Sequence, residues 1–277
     1  MSRNQTKTLP QEIIETVTFR NVQNILSLEG NIAPIDERDL VLPSGAKVTD
    51  VKVKEGDTVK KDALLAKYET STLTGTKKND FKASIAGKIA KLNIKTNELF
   101  TGTEPAVILV DDSSLQINAD VNENDISQLS TGLATTVVVP AVSLLNKYNS
   151  TINTIAITPT TQNGSVNYRV VFKPDQLPGN AKIGMSADLE VKVAEVDHVL
   201  AVPDSYIISK GTKYFVKVLT YKNPEKTDYN LTETEVTLGL RTDQLDEVKS
   251  GLKDADLIVP PSFVPQGIFG LFGSSSQ

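Results

Sequence analysis

LVLPSGAKVTDVKVKEGDTVKKDALLAKYE, residues 40–69, and FKASIAGKIAKLNIKTNELFTGTEPAVILV, residues 81–110, are two versions of one pattern. A shift of 41 positions sets Lys47 on Lys88, Val48 on Ile89, Val51 on Leu92 and Val53 on Ile94. It also sets Gly56 on Asn97, Asp57 on Glu98 and Val59 on Phe100. Each half alternates apolar and polar residues, the period of a strand with one buried face. Each then turns at a polar corner, Glu55-Gly56-Asp57 or Thr96-Asn97-Glu98, where Gly56 or Asn97 supplies a residue tolerant of positive φ. Neither half can bury its apolar face alone, so the expectation is that the two pack together as a small sandwich. The stretch between them, 70–80, reads as a short polar connector.

Composition narrows the function. The chain has 277 residues, enough for two or three small domains, with 39% hydrophobic and 23% charged residues. Its 29 basic and 34 acidic residues give a net charge of −5 with no long run of either sign. Nucleic-acid binding needs a basic face that releases counterions, and none is evident. Aromatic residues are 5% and Trp is absent, which argues against a stacking platform. With no Cys there is no disulfide, thiolate nucleophile or Cys-ligated metal. No run of apolar residues is long enough to span a bilayer, and the opening MSRNQTKTLPQEIIETV lacks the apolar core of a signal peptide.

Catalysis is tested by subtraction. A Ser-His-Asp site would have to use His198, the one histidine, at the start of an expected strand, yet no nucleophile elbow appears. One His and no Cys leave zinc an almost all-carboxylate shell, and no Walker-type or Rossmann loop is present. The acidic trio Asp120, Glu123 and Asp125 lacks the glycine and terminal Glu of an EF-hand loop, so it reads as a solvated helix face. The sequence therefore predicts no enzyme, no cofactor and no metal: no catalytic, cofactor-binding or metal residue is assigned.

Six stretches carry a family resemblance. The text from Gly45 to Leu64 or Leu65 resembles the lipoyl or biotinyl sandwich, with one residue inserted. That from Ala83 to Ile94 is similar to the returning half in membrane fusion proteins, the periplasmic adaptors of efflux and export pumps of HlyD-like and MacA-like type. Val121, Glu123, Asp125, Ile126, Leu129, Gly132 and Val137 match the adaptor β-barrel, with a short helix near 123–129 capped by Asn122 or Asn124 and ended by Gly132. Ile183-Gly184-Met185-Ser186-Ala187 followed by Leu189, Val191 and Val193 resembles the barrel's G-M-x-A-x-V-x-V strand. On its own, Met185 reads as a filler of the core. Val199-Leu200-Ala201-Val202-Pro203 with Tyr206-Ile207 resembles the exit from barrel to membrane-proximal domain, Tyr206 standing where a small residue is usual. Gly239, Glu247, Val248, Gly251, Leu252 and Asp256 match the closing segment.

Between these lie 14–33, read as one or two strands, Pro34 to Arg38 as a link into the sandwich, and a turn at Gln162-Asn163-Gly164. Residues 1–10 read as a disordered lead. In the tail, Ile268, Phe269, Leu271 and Phe272 form an apolar cluster that, if free, suits a partner or membrane surface.

The resemblance implies a mostly-β, elongated, multidomain fold whose chain runs out through its domains and back. The domains are a lipoyl-like barrel-sandwich hybrid at 39–112, a β-barrel at 27–38 plus 113–197, and a membrane-proximal β-domain at 10–26 plus 198–262, with a tail at 263–277. It implies a non-catalytic adaptor subunit of a multi-component efflux or export transporter. The partner would be a membrane transporter, an ABC permease being favoured over an RND pump, and copies would form a homo-oligomeric ring. The place implied is extracytoplasmic, attached to the cytoplasmic or inner membrane through an anchor absent from this chain. Adaptors carry a long helical hairpin between the sandwich halves; 70–80 is too short for one, so the hairpin is missing or replaced, and Thr-Gly-Thr at 74–76 has the composition of a replacement linker. Two rivals stand beside this reading. A lipoyl- or biotinyl-type acyl carrier would use Lys77 or Lys78, whose T-K-K-N context matches neither D-K-A nor M-K-M. A structural surface β-protein would have no transporter partner.

Overall fold

The computed structural model describes residues 13–72, 75–162, 164–226 and 228–263. The lead at 1–10, Thr74 of the connector, Asn163 of the expected turn and the apolar residues of the tail lie outside them. The mostly-β expectation holds: the described residues form strands and short turns, with one four-residue α-helix, Glu123–Ile126. The chain divides into two compact units, residues 27–191 and residues 1–26 plus 192–277.

Within 27–191, the repeated halves form the expected sandwich. Lys47–Val51, Leu64–Thr72 and Gly75–Lys82 make one antiparallel sheet. The other contains Thr58–Val59, Gly87–Leu92, the first part of Val107–Asn122 and the end of Thr18–Leu40. The 41-residue shift carries the hydrogen bonds as well as the residue types. Val48 pairs with Tyr68 and Ile89 with Leu109, each next to a bulge of one extra residue. The Gly56 N–H donates to the Ile89 carbonyl and the Ile89 N–H to the Asp57 carbonyl, at 2.8 and 2.9 Å. Reciprocally, the Asn97 N–H donates to the Val48 carbonyl and the Val48 N–H to the Glu98 carbonyl, at 2.8 and 2.9 Å. Gly56 and Asn97 have φ of 86° and 68°, the left-handed corners the sequence predicts. Each corner thus clasps the strand of the other half, and Val48, Leu65, Ile89 and Leu109 are buried between them.

The remainder of this unit is the expected barrel. Ser186–Pro203, Ala134–Val139, Ser143–Ile155, Ser165–Pro174, Val107–Asn122 and Thr18–Leu40 pair in that order. The first and last of these pair in turn, and the Ile32 N–H donates to the Met185 carbonyl while Gly184 donates to Ile32. Ile32, Ile117, Ile152, Phe172 and Leu189 fill the interior. Gly30 is needed there, because a Cβ would lie 2.8 Å from Ile117 Cγ2 and 2.9 Å from the Asn118 carbonyl oxygen.

In the other unit, Glu15–Thr16, Leu257–Val259, Lys213–Tyr221, Tyr229–Leu238, Leu245–Ser250 and the end of Ser186–Pro203 pair in sequence, with Ile207–Lys210 beside Lys213–Tyr221. Val17, Val202, Val216, Val236, Val248 and Ile258 form its core. A smaller cluster of Leu219, Val259 and Phe263 packs against Ile13 and Ile14.

Four local expectations need correction. Pro34 to Arg38 is not a link but part of the strand Thr18–Leu40; Pro34 sits beside a bulge, where its missing N–H is tolerated. The helix expected over 123–129 stops at Ile126, with Asn122 as its cap through the Asn124 N–H. Met185 is half-buried rather than a core filler. Residues 70–72 and 75–80 are not an irregular connector: they continue both strands as a two-stranded ribbon, paired from Glu69↔Lys78 to Thr72↔Gly75.

Candidate functional site

The ribbon decides where the two candidate carrier lysines lie. Lys77 pairs with Thr70 and Lys78 with Glu69, so both stand along a strand. The Lys78 side chain is 87% exposed and reaches Glu69 only at 3.9 Å. A carrier lysine at a hairpin tip is presented by a turn; these are presented by a ladder, side by side with cross-strand neighbours.

The acidic trio at the barrel helix is likewise occupied by structure. Asp120 receives the Nε and Nη2 donors of Arg169 at 2.7 and 3.3 Å across neighbouring strands. The hydrogen bond to Asp120 raises the Arg169 guanidinium above its ordinary pKa. Glu123 and Asp125 lie in the first turn of the helix, where acidic side chains suit the dipole. Among the described residues no group of three potential metal ligands comes together.

His198 does not start a strand. It lies within Ser186–Pro203 at φ 53°, an unusual conformation for a residue with a Cβ. Its N–H donates to Asn21 Oδ1 at 3.0 Å, and its ring stacks on Phe19 with centroids 4.6 Å apart and an 11° tilt. Further along the same two strands, Gln23 donates to Glu195, which also accepts from Lys192 at 2.8 Å. These are ties between strands, with no serine or cysteine nucleophile among them.

A polar network in the unit 1–26 plus 192–277 was not visible in the sequence. Asp246 is fully buried, and accepts from Arg241 Nε at 2.9 Å and from the Thr242 N–H at 3.0 Å. Arg241 also donates to Asp204 at 2.9 Å and lies 4.9 Å from the centre of the Tyr214 ring. The hydrogen bonds to Asp246 and then Asp204 raise its pKa further, so the cation is permanent. Nearby, Tyr206 donates to the Ile13 carbonyl at 3.3 Å, and burial, then the Glu15 charge, raises its pKa. The usually small position that Tyr206 fills thus ties the end of one strand to the incoming chain. The single cue in the sequence was the acidic pair Asp246-Glu247 set between Leu245 and Val248.

What remains exposed is apolar or polar surface suited to contact, not chemistry. In the unit 27–191, Leu145, in the strand Ser143–Ile155, and Ile157, in the bend after it, are 91% and 96% exposed. No helix among the described residues is long and apolar enough to cross a membrane.

Comparison with known proteins agrees with this fold. Over 219 residues the chain is 26% identical to the macrolide export protein MacA of Escherichia coli O157:H7, a match covering 76% of this chain. The chain is homologous to MacA. It spans 57% of the length of that relative. The crystal structure of MacA from Actinobacillus actinomycetemcomitans superposes with a TM-score of 0.70 at 19% identity, covering 88% of this chain and 98% of that one. ZneB from Cupriavidus metallidurans gives 0.52 at 15% identity, over 89% and 91%. A MacA chimera containing the α-hairpin domain of Pseudomonas aeruginosa MexA gives 0.65 at 18% identity, over 87% and 98%. At these identities the structures establish the MacA-type fold. No protein-family model matches the chain.

Proposed function

We propose that this chain is a non-catalytic adaptor subunit of a multi-component export system, linking a membrane transporter to what lies outside it. The observation that supports this best is the match to MacA across both units, 88% of the chain, at a TM-score of 0.70. A sandwich alone would fit a carrier; a sandwich followed by a barrel and a third β-body does not. In this reading the sandwich is 39–112, the barrel 27–38 plus 113–197, and the membrane-proximal body 10–26 plus 198–262. The last body faces an ABC permease, favoured over an RND pump by the homology to a macrolide exporter, on the extracytoplasmic side of the membrane. Copies assemble as a ring around the exit path.

The residues then have mechanical roles. The Arg241–Asp246–Asp204 network stiffens the loop Leu240–Gln244 that would face the transporter. The reciprocal corner clasps keep the sandwich a single rigid body during the transporter's cycle. Crosslinking in native membranes, followed by mass spectrometry of what co-purifies, tests the assignment. A membrane transporter is the expected partner, and deletion of 205–262 is expected to abolish its recovery. Recovery of a soluble acyltransferase or dehydrogenase, with a mass increment on Lys77 or Lys78, would overturn the adaptor reading.

A further inference from the structure

The ribbon 64–82 is longer than the sandwich needs. Lys47–Val51 pairs only with Ala66 to Glu69, so beyond Glu69 no third strand among the described residues joins the ribbon on that side. From Ser71 to Lys78 every described side chain is exposed. An isolated two-stranded ribbon is marginal in water, and this extension adds no apolar burial that would explain it. Along the whole of Gly75–Lys82 the opposite edge has no strand partner among the described residues. It therefore presents a row of backbone N–H and C=O groups of the kind that accepts an added strand.

The side chains state which strand fits. Lys77, Lys78 and Lys82 stand against one acid, Asp80, on a chain whose net charge is negative. The ion pairs available to them are loose: Lys78 to Glu69 and Lys82 to Asp80, both at 3.9 Å. Lysines on an edge also discourage indiscriminate pairing, which accounts for their presence on a short edge but not for the eight-residue length of this one. A second copy offers the same excess of lysine and would meet it with like charge.

We propose that the free edge of Gly75–Lys82 is a docking edge for an extended, acidic segment of a partner protein, added as a further antiparallel strand. Backbone pairing would supply the attachment, and carboxylates opposite Lys77, Lys78 and Lys82 the selectivity. This goes beyond the adaptor assignment and does not require a transporter, so it stands or falls on the isolated chain.

The test is amide NMR of the full, ¹⁵N-labelled chain titrated to about 1 mM with the capped peptide TEVDVET, beside the basic analogue TKVKVKT. The expected result is a set of shifts centred on 75–82 with the acidic peptide and none with the basic one. The affinity is expected to fall about threefold or more between low and physiological salt. The triple variant K77E/K78E/K82E should lose about tenfold or more in affinity with an unchanged spectrum elsewhere, which separates a lost site from a lost fold. Absence of shifts, shifts centred away from 75–82, or equal binding of both peptides would each overturn the proposal. Concentration-dependent broadening of 75–82 without any peptide would also overturn it, by assigning the edge to a second copy.

Discussion

Replacing Gly87 with Ala separates the two things that the repeat demands of its residues. Gly87 is the counterpart of Ala46 under the 41-residue shift, and Ala46 carries its methyl fully buried. At Gly87 the same methyl would lie 2.3 Å from the Val110 carbonyl oxygen and 2.9 Å from its carbon, distances that must open beyond 3.0 Å. The obstruction is the backbone of Val107–Asn122, a strand held on both sides by its neighbours, so no rotamer change relieves it. Overpacking of this kind costs about 1–3 kcal/mol, against about 0.4–1 kcal/mol gained by stiffening the unfolded chain. The clash wins, and a net loss of about 1–2 kcal/mol is expected. Because a chain of several bodies need not unfold in one step, amide exchange at Ile89 and Leu109 is the appropriate assay, with urea unfolding followed by circular dichroism beside it. Protection at those amides should fall by roughly tenfold, the equivalent of about 1.4 kcal/mol. Gly179→Ala is the control: nothing lies within 4 Å of its Cβ position and its φ is not in the left-handed range. It should be neutral or slightly stabilising. Equal or greater protection in G87A would refute the view that the second half is fitted to its covering strand more tightly than the first.

Three further outcomes follow from the geometry. Ile89→Ala removes a fully buried side chain at the centre of the clasp and should destabilise the sandwich by about 2–5 kcal/mol, read as lost exchange protection in 40–110. Arg241→Ala leaves the buried Asp246 carboxylate with only the Thr242 N–H. Because Arg241 is itself partly exposed, the loss should be about 2 kcal/mol rather than the larger value for a wholly buried pair, confined in exchange to 192–263, and Arg241→Lys should recover only part of it. At Glu195 the hydrogen bond from Lys192 holds the carboxyl below its ordinary pKa despite an opposing desolvation, with Gln23 adding a smaller effect. A lowered folded-state pKa stabilises above the unfolded value and is lost as pH falls through the folded one. Titration of the Glu195 side chain by NMR should therefore show a midpoint below that of a free glutamate, moving up in Lys192→Ala; an unmoved midpoint would contradict this cause.

The features legible in the sequence are those fixed by a short period or a backbone demand. The sandwich was visible because its two halves repeat, and Gly56 and Asn97 betrayed their corners because few residue types accept positive φ. The barrel's Ala187, Leu189 and Val191 were visible by alternation and are buried. Illegible features depend on which strand lies alongside. His198 reads as an ordinary polar residue at the mouth of a strand, yet its φ of 53° is sustained by Asn21 and Phe19, about 180 residues earlier in the chain. Nothing in the local text marks Asp246 as buried; Arg241 and the Thr242 N–H enclose it.

The misreading of 70–80 has the same origin and the larger consequence. Thr, Ser, Lys, Asn and Gly are loop formers by composition, and no apolar alternation marks a strand that buries neither face. Cross-strand pairing sets Thr70 against Lys77 and Thr72 against Gly75, a pairing that becomes visible only when Leu64–Thr72 is seen to continue past the sheet that it began in. Composition at that point reports exposure, not disorder. Phe81 still packs on the sandwich core beside Tyr68, whereas the residues from Ser71 to Lys78 that the structure describes are exposed and add nothing to it, so burial does not account for the length of this strand.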